Sequence, residues 1–158
     1  MLSKSNMKFS IDYNGKKEDR LLTYDTNEYG FNIEPKVSKI NFGLILNTLD
    51  LTVIDDDRRI IEVLGFCGLN PSMISNHDVP LYKEGTLKVI DNLDPGFSYR
   101  IHNKEQPIYV NIKTGWLCIG DPQKEGNGVE FINNCVAVIN NEQGFISLWL
   151  KPKSLPPL

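Results

Sequence analysis

The stretch that decides the fold is Ile108-Tyr-Val-Asn-Ile112, Lys113-Thr-Gly115 and Trp116-Leu-Cys-Ile-Gly120. The two outer parts are rich in β-branched and aromatic residues, which is typical of β-strands. Gly115 supplies the left-handed backbone position that the loop of a three-residue hairpin requires. We therefore predict a β-hairpin here, and the same pattern of strand, short turn and strand recurs along most of the chain.

Other strands follow from alternation of apolar and polar residues. Phe9, Ile11 and Tyr13 alternate with polar neighbours before Asn14-Gly15, a dipeptide that favours tight turns. Two further hairpins are predicted over 49–66 and 135–150. The stretch 26–39 shows no clear alternation, so we predict a loop there, with one short helix as an alternative.

Composition points the same way. The chain has 158 residues, and Ala137 is its only alanine, which disfavours a helix-rich fold. We predict one mainly antiparallel all-β domain over residues 1–158, with eight to ten strands and at most one or two short helices. The spacing does not separate a β-sandwich from a partly open β-barrel. The Pro-rich segment 151–158 is expected to be an extended tail because proline cannot donate to a β-ladder.

Charge and hydropathy exclude several classes of partner. The net charge is -3, and basic residues are scattered beside acids, as in Lys16-Lys17-Glu18-Asp19-Arg20, so we expect no nucleic-acid binding. Apolar runs are too short for a membrane span, and we expect no membrane association. The odd number of cysteines (Cys67, Cys118 and Cys135) and a start without an apolar run favour free thiols and a cytoplasmic location.

Motifs for cofactor, metal or phosphate chemistry are weak. Cysteine and histidine do not recur at the spacings of zinc sites, and we expect neither a metal nor another cofactor. Asp55-Asp56-Asp57 lacks the glycine and distal glutamate of a calcium loop and is expected to be a solvated hairpin tip. Asp50 and Glu62, within one predicted hairpin, form the single pair of acids expected inside strands, although like charges placed opposite each other destabilise a sheet.

A nucleophilic site would need a base beside its nucleophile. Cys67, His77 and Asp78 share one polar loop, so a loop-built site over Cys67–Asp78 is one hypothesis. His102 shares its predicted strand face with Arg100 and is expected at the surface. No catalytic residue is assigned.

Aromatic residues are the candidates for a binding surface. Trp116 and Trp149 both follow hairpin turns, and Tyr109 lies in a strand. Tryptophan is enriched at interface hot spots, so Tyr109, Trp116 and Trp149 are the predicted binding residues. The competing interpretation places both tryptophans in a core that covers both faces of the sheet.

Three functional classes remain open at this point. The first is a non-enzymatic domain that binds another protein, of the inhibitor or immunity type, as suits a small acidic domain without a catalytic constellation. The second is a β-barrel that binds a small ligand. The third is an enzyme whose site lies in the loop around Cys67–Asp78. We favour the first.

Overall fold

The fold is a β-sandwich built from three sheets. The computed structural model of the chain describes residues 2–3, 7–37 and 42–158. Within these ranges the strands are β1 (Leu2–Ser3), β2 (Phe9–Asp12), β3 (Leu21–Asp25), β4 (Gly30–Glu34), β5 (Phe42–Leu46), β6 (Leu49–Val53), β7 (Ile60–Phe66), β8 (Tyr82–Glu84), β9 (Thr86–Val89), β10 (Tyr99–Arg100), β11 (Ile108–Val110), β12 (Leu117–Gly120), β13 (Asn127–Ile132), β14 (Cys135–Ile139) and β15 (Phe145–Leu150). One 3₁₀ turn, Pro71–Met73, is the sole helical element of the described residues.

Two large sheets and one small sheet hold these strands. The seven-stranded sheet has the order β1-β10-β5-β6-β7-β4-β3, and the six-stranded sheet has the order β11-β12-β15-β14-β13-β8. Strands β2 and β9 form a two-stranded sheet. Pairing is antiparallel except at β1–β10, β10–β5 and β13–β8. In the described part of the chain no sheet closes into a barrel, which confirms the all-β, mainly antiparallel prediction and favours its sandwich form.

The main core lies between the sheets. It contains the inward residues of the seven-stranded sheet, among them Leu49, Leu51 and Val53, together with Leu148 and Leu150 of the six-stranded sheet. A second apolar cluster occupies the other face of the six-stranded sheet. Strand β14 is buried along its whole length because each of its faces meets one of these clusters.

Three hairpins match the prediction. They are β6–β7, β11–β12 and β14–β15, and the two strands of each hairpin pair antiparallel. In the β11–β12 turn Gly115 has φ of +86°, the left-handed value that its position predicted. The Asn111 side-chain oxygen accepts the backbone N–H groups of Lys113 and Thr114 and so fixes this turn.

Other predictions need correction. The loop predicted over 26–39 contains β4, whose Phe31 and Ile33 are buried, and residues 38–41 lie outside the described part of the chain. The tight turn predicted at Asn14-Gly15 is present, since Gly15 N–H donates to the Asp12 carbonyl over 3.1 Å, but it does not join two paired strands, because β2 pairs with β9 and β3 pairs with β4. Within the described residues, β1, β8 and β10 are only two or three residues long, too short to show alternation, and this explains part of the excess over the eight to ten strands that the sequence predicted.

Different segments of the chain lie beside the edge strands of the two large sheets. Beside β11, Ser75 N–H donates to the Val110 carbonyl over 2.8 Å, so the 67–80 loop covers that edge. Beside β3, Lys153 N–H donates to the Leu22 carbonyl over 3.0 Å, so the segment 151–158 covers that edge. Strand β8 closes the other side of the six-stranded sheet and has β13 as its partner.

Candidate binding surface

The two tryptophans predicted as binding residues are buried. Trp149 is 1% exposed, and its indole N–H donates to the Ser147 hydroxyl over 3.0 Å. Trp116 is 8% exposed and belongs to the same second cluster as Trp149. Burial with a satisfied indole N–H is what the competing interpretation of a core covering both faces requires. Trp149 therefore lies in the second apolar cluster and not at the surface.

The 67–80 loop provides the cover over this face. The Asn111 amide donates to the His77 carbonyl and to the Asp78 carboxylate, both over 3.2 Å. The His77 ring packs edge-on against Tyr109 with 5.0 Å between ring centroids. Tyr109 is half-buried and rests against the tryptophan cluster. These contacts hold the loop across the sheet, and the loop then enters β8.

The surface feature that stands out lies where this loop ends. Leu81 is 97% exposed, far more than the other large apolar side chains of the described residues. Tyr82 follows it at 40% exposure, and its ring stands edge-on to buried Trp116 with 6.2 Å between centroids. Every residue of β8 is exposed. We call residues 81–84 the Leu81 ridge.

Leu81 lines two grooves. One has a volume of about 420 Å³ and is lined by Tyr13, Leu81, Tyr82, Lys83 and 126–128. The Tyr13 hydroxyl donates to the Gly128 carbonyl over 2.9 Å, and the Lys83 ammonium lies 5.9 Å from the Tyr13 ring centroid. The other groove has a volume of about 270 Å³ and includes Pro80, Pro122 and Val138. Leu81 therefore borders two concave, partly apolar surfaces.

The backbone of the Leu81 ridge forms strand hydrogen bonds along one of its two edges. Strand β8 pairs in parallel with β13 in the register Tyr82 to Gly128, Lys83 to Val129 and Glu84 to Glu130. Within the described part of the chain, no other strand pairs with β8. Its outer edge thus presents backbone donors and acceptors to an additional strand.

The three residues of the loop-built catalytic hypothesis lie in different surroundings. Cys67 is 3% exposed in the main core, and burial raises the pKa of its thiol to about 12. A nucleophilic cysteine needs the opposite shift, because the thiolate is the reactive form. His77 lies against Tyr109 on the outer face, and Asp78 bonds to Asn111. Burial and the raised pKa of its thiol therefore disfavour Cys67 as a nucleophile.

The second histidine is not a fully exposed surface residue. His102 is half-buried, and the Phe145 ring lies edge-on to it with 6.4 Å between centroids. Burial lowers the pKa of His102, while a hydrogen bond with the Phe145 backbone opposes that shift. Burial beside the core therefore favours the neutral form of the imidazole.

The acids of the β6–β7 hairpin are not opposite each other. Asp50 faces Leu64 across the ladder, and Glu62 faces Thr52. Glu62 is 4% exposed and accepts hydrogen bonds from Arg20 Nη1 over 2.9 Å and from Val37 N–H over 3.0 Å. Burial, with a smaller contribution from Glu62, raises the pKa of Asp50. Glu62 thus forms a buried ion pair with Arg20.

Among the described residues no group of three or more histidine, cysteine or acidic side chains converges as a metal site would require. None of the helical structure in residues 2–3, 7–37 and 42–158 has the length and apolar character of a membrane span. Neither the models of known protein families nor the curated proteins contain a match to this chain.

Sequence reasoning missed the Leu81 ridge. The available signal was the pair Leu81-Tyr82 directly after Pro80, two large apolar residues at the end of a polar loop. Such a pair is unremarkable until the path of the loop is known, because the same residues would be buried if the chain turned inward. Two of the predicted residues contact the Leu81 ridge or the loop before it: the Trp116 ring packs against Tyr82, and the Tyr109 ring packs against His77 of the loop.

Proposed function

We propose that this protein is a non-enzymatic binding domain that docks another protein on the Leu81 ridge. The observation that carries the proposal is the coincidence of an open strand edge with a leucine that is 97% exposed. An exposed strand edge is an aggregation hazard unless something uses or covers it. Strand addition from a partner would use it, since backbone bonds supply affinity and the side-chain pockets supply specificity.

The chemistry of the ridge defines the partner segment. Leu81 and Tyr82 expose apolar surface, and the charged pair Lys83-Glu84 follows. An added strand gains most when it places apolar residues beside Leu81 and Tyr82 and an acidic residue beside Lys83, because cross-strand pairs of opposite charge stabilise a sheet. The two grooves beside Leu81 would receive apolar side chains of the same segment.

Within this class we propose an inhibitor or immunity-type protein that covers the active surface of its partner. The net charge of -3 suits a basic partner, because complementary charge speeds association. The enzyme hypothesis is weakened by the buried Cys67 thiol, and the barrel hypothesis lacks a closed barrel in the described part of the chain.

The test compares two single substitutions of exposed apolar residues. Leu81→Asp places a charge at the centre of the ridge, whereas Ile112→Asp places one in the β11–β12 turn, where Ile112 is 54% exposed. Both variants should fold like the wild type. The wild-type protein and Ile112→Asp should capture one partner in equimolar amount from native extract, and Leu81→Asp should lose at least ten times in affinity for that purified partner, or about 1.4 kcal/mol.

A second measurement locates the contact. Hydrogen exchange of the complex should slow at the amides of Tyr82 and Glu84, which point away from β13, and leave the β11–β12 turn unchanged. Equal capture by the wild type and Leu81→Asp would refute the proposal. The inhibitor hypothesis is checked separately: an active partner should lose activity when the wild-type domain is added in equimolar amount, and keep it with Leu81→Asp.

A further inference from the structure

The segment Lys151–Leu158 crosses from one large sheet to the other. It leaves β15 of the six-stranded sheet, and its first residue, Lys151, donates its N–H to the Asn134 carbonyl over 2.9 Å. Lys153 then donates to the Leu22 carbonyl of β3 in the seven-stranded sheet. Pro152 between them is buried. We call residues 151–158 the strap.

Apolar side chains hold the far part of the strap. Leu155 and Leu158 are partly buried and pack against the main core. Three of the eight strap residues are prolines, which lack the N–H that a further strand would need. The strap therefore satisfies part of the β3 edge without offering a regular edge of its own.

The edge beneath the strap is suited to pairing with another strand. Leu22 directs its carbonyl away from β4 toward Lys153, and backbone directions alternate along a strand, so Leu22 and Tyr24 both present their backbone groups to this edge. The sequence Leu21-Leu-Thr-Tyr24 is uncharged and rich in residues that favour strands. Leu21 is 43% exposed on the outer face.

We propose that the strap keeps β3 from pairing with β3 of a second copy of this chain, and that release of the strap produces a symmetric dimer. In a dimer with two-fold symmetry the same surface of each copy forms the contact. The two β3 strands therefore lie beside each other in antiparallel orientation. Centring the pair on Thr23 brings Leu22 opposite Tyr24 of the other copy in both directions. This arrangement uses all the edge groups of Leu22 and Tyr24 and places the two Thr23 side chains opposite each other.

The experiment releases the strap in the full chain. Leu155→Asp with Leu158→Asp removes the apolar contacts, and Lys153→Pro, a second and milder variant, removes only the N–H that bonds Leu22. Circular dichroism establishes that each variant keeps its β-structure, and hydrogen exchange at Leu22 and Tyr24 in the dilute monomer establishes release. Sedimentation equilibrium over a concentration series should show a monomer for the wild type and a concentration-dependent doubling of mass for the released variants.

A charge exchange identifies the contact. In the released background Thr23→Lys should remain monomeric, as should Thr23→Glu, because like charges directly opposite each other destabilise a strand pair. An equimolar mixture of the two should form the dimer again. A released strap with no change of mass overturns the proposal, and so does a dimer that persists in the Thr23→Lys variant alone.

Discussion

Strands β3 and β8 are both the last strands of their sheets, yet the chain treats them in opposite ways. Beside β3 the strap supplies a hydrogen bond to Leu22 and packs Leu155 and Leu158 on the core. Beside β8 no strand of the described chain follows, and the residue before it, Leu81, is 97% exposed. One molecule thus covers one apolar edge and leaves another open.

This difference is the main support for the proposal that the β8 edge binds a partner. Covering β3 costs the conformational entropy of ordering the strap, about 1–2 kcal/mol for each residue's backbone. Segments of the same chain cover the edges of β3 and β11, so a covered β8 edge would also be compatible with this fold. The exposed state of the Leu81 ridge supports the proposal that a partner binds there.

The largest effect is expected when the support of the open edge is broken. A Cβ added to Gly128 would stand 2.5 Å from the Leu81 carbonyl oxygen and 3.0 Å from the Tyr82 Cβ. Gly128→Ala should therefore push β8 away from β13 and cost about 3 kcal/mol of the free energy of unfolding, since overpacked sites lose about 1–3 kcal/mol or slightly more. Urea denaturation measures the loss, and partner binding should fall with it.

Gly68→Ala is the matched control. Its added Cβ meets the ring of exposed Phe66 at 3.2 Å, and that ring is free to turn away. The same chemical change should alter the free energy of unfolding by less than about 1 kcal/mol, because alanine also restricts the unfolded chain. Equal losses in the two variants would show that β8 does not depend on close contact with β13.

A smaller effect is expected at the covered edge. The Tyr24 hydroxyl, on β3, donates to the Cys67 carbonyl over 2.7 Å in a buried position. Tyr24→Phe leaves that carbonyl without its partner and should lower the free energy of unfolding by about 1.5 kcal/mol. Tyr29→Phe, at a side chain that is 54% exposed, should change it by less than about 0.5 kcal/mol. Equal stability of Tyr24→Phe and the wild type would show that the hydrogen bond from Tyr24 to Cys67 does not stabilise the β3 edge.

The same tyrosine predicts a dependence on alkaline pH. Burial, with smaller contributions from Cys67 and Tyr29, raises the pKa of Tyr24 from 10.0 to about 12. Above pH 10 the unfolded chain loses this proton while the native protein keeps it until about pH 12, so the contribution of Tyr24 is complete below pH 10 and declines as the pH rises. The stability advantage of the wild type over Tyr24→Phe should therefore shrink through that window in denaturation at a series of pH values. A constant advantage would contradict the raised pKa.

Local patterns explain which parts of this fold could be predicted. The β14–β15 hairpin has strong strand residues on both sides of a five-residue turn, and Gly115 marks the β11–β12 turn, so both were visible in sequence. Strands β1, β8 and β10 contain two or three residues and pair in parallel with distant segments. Their existence depends on tertiary contacts that leave no alternation in the sequence.

The candidate surface depends on such contacts even more strongly. Trp149 is buried because the 67–80 loop returns across the sheet, held there by the bonds of Asn111 to His77 and Asp78. Leu81 is exposed because the same loop ends at the sheet edge. Sequence alone assigns neither outcome, since tryptophan and leucine are common both in cores and at interfaces. The burial of each was decided by the path of a polar loop.

The smallest effect is expected at Lys83, whose ammonium lies 5.9 Å from the Tyr13 ring centroid. An exposed cation–π contact contributes about 0.5 kcal/mol, so Lys83→Gln should reduce the free energy of unfolding by no more than that, and Lys83→Arg should retain it. Affinity for the partner should respond more than stability does, because the proposed partner strand places an acidic residue beside Lys83. Titration of the purified partner at low and high salt should show the loss for Lys83→Gln at low salt only. A loss that persists at high salt would mean that Lys83 acts by shaping the ridge, and the acidic residue proposed for the partner segment would have to be abandoned.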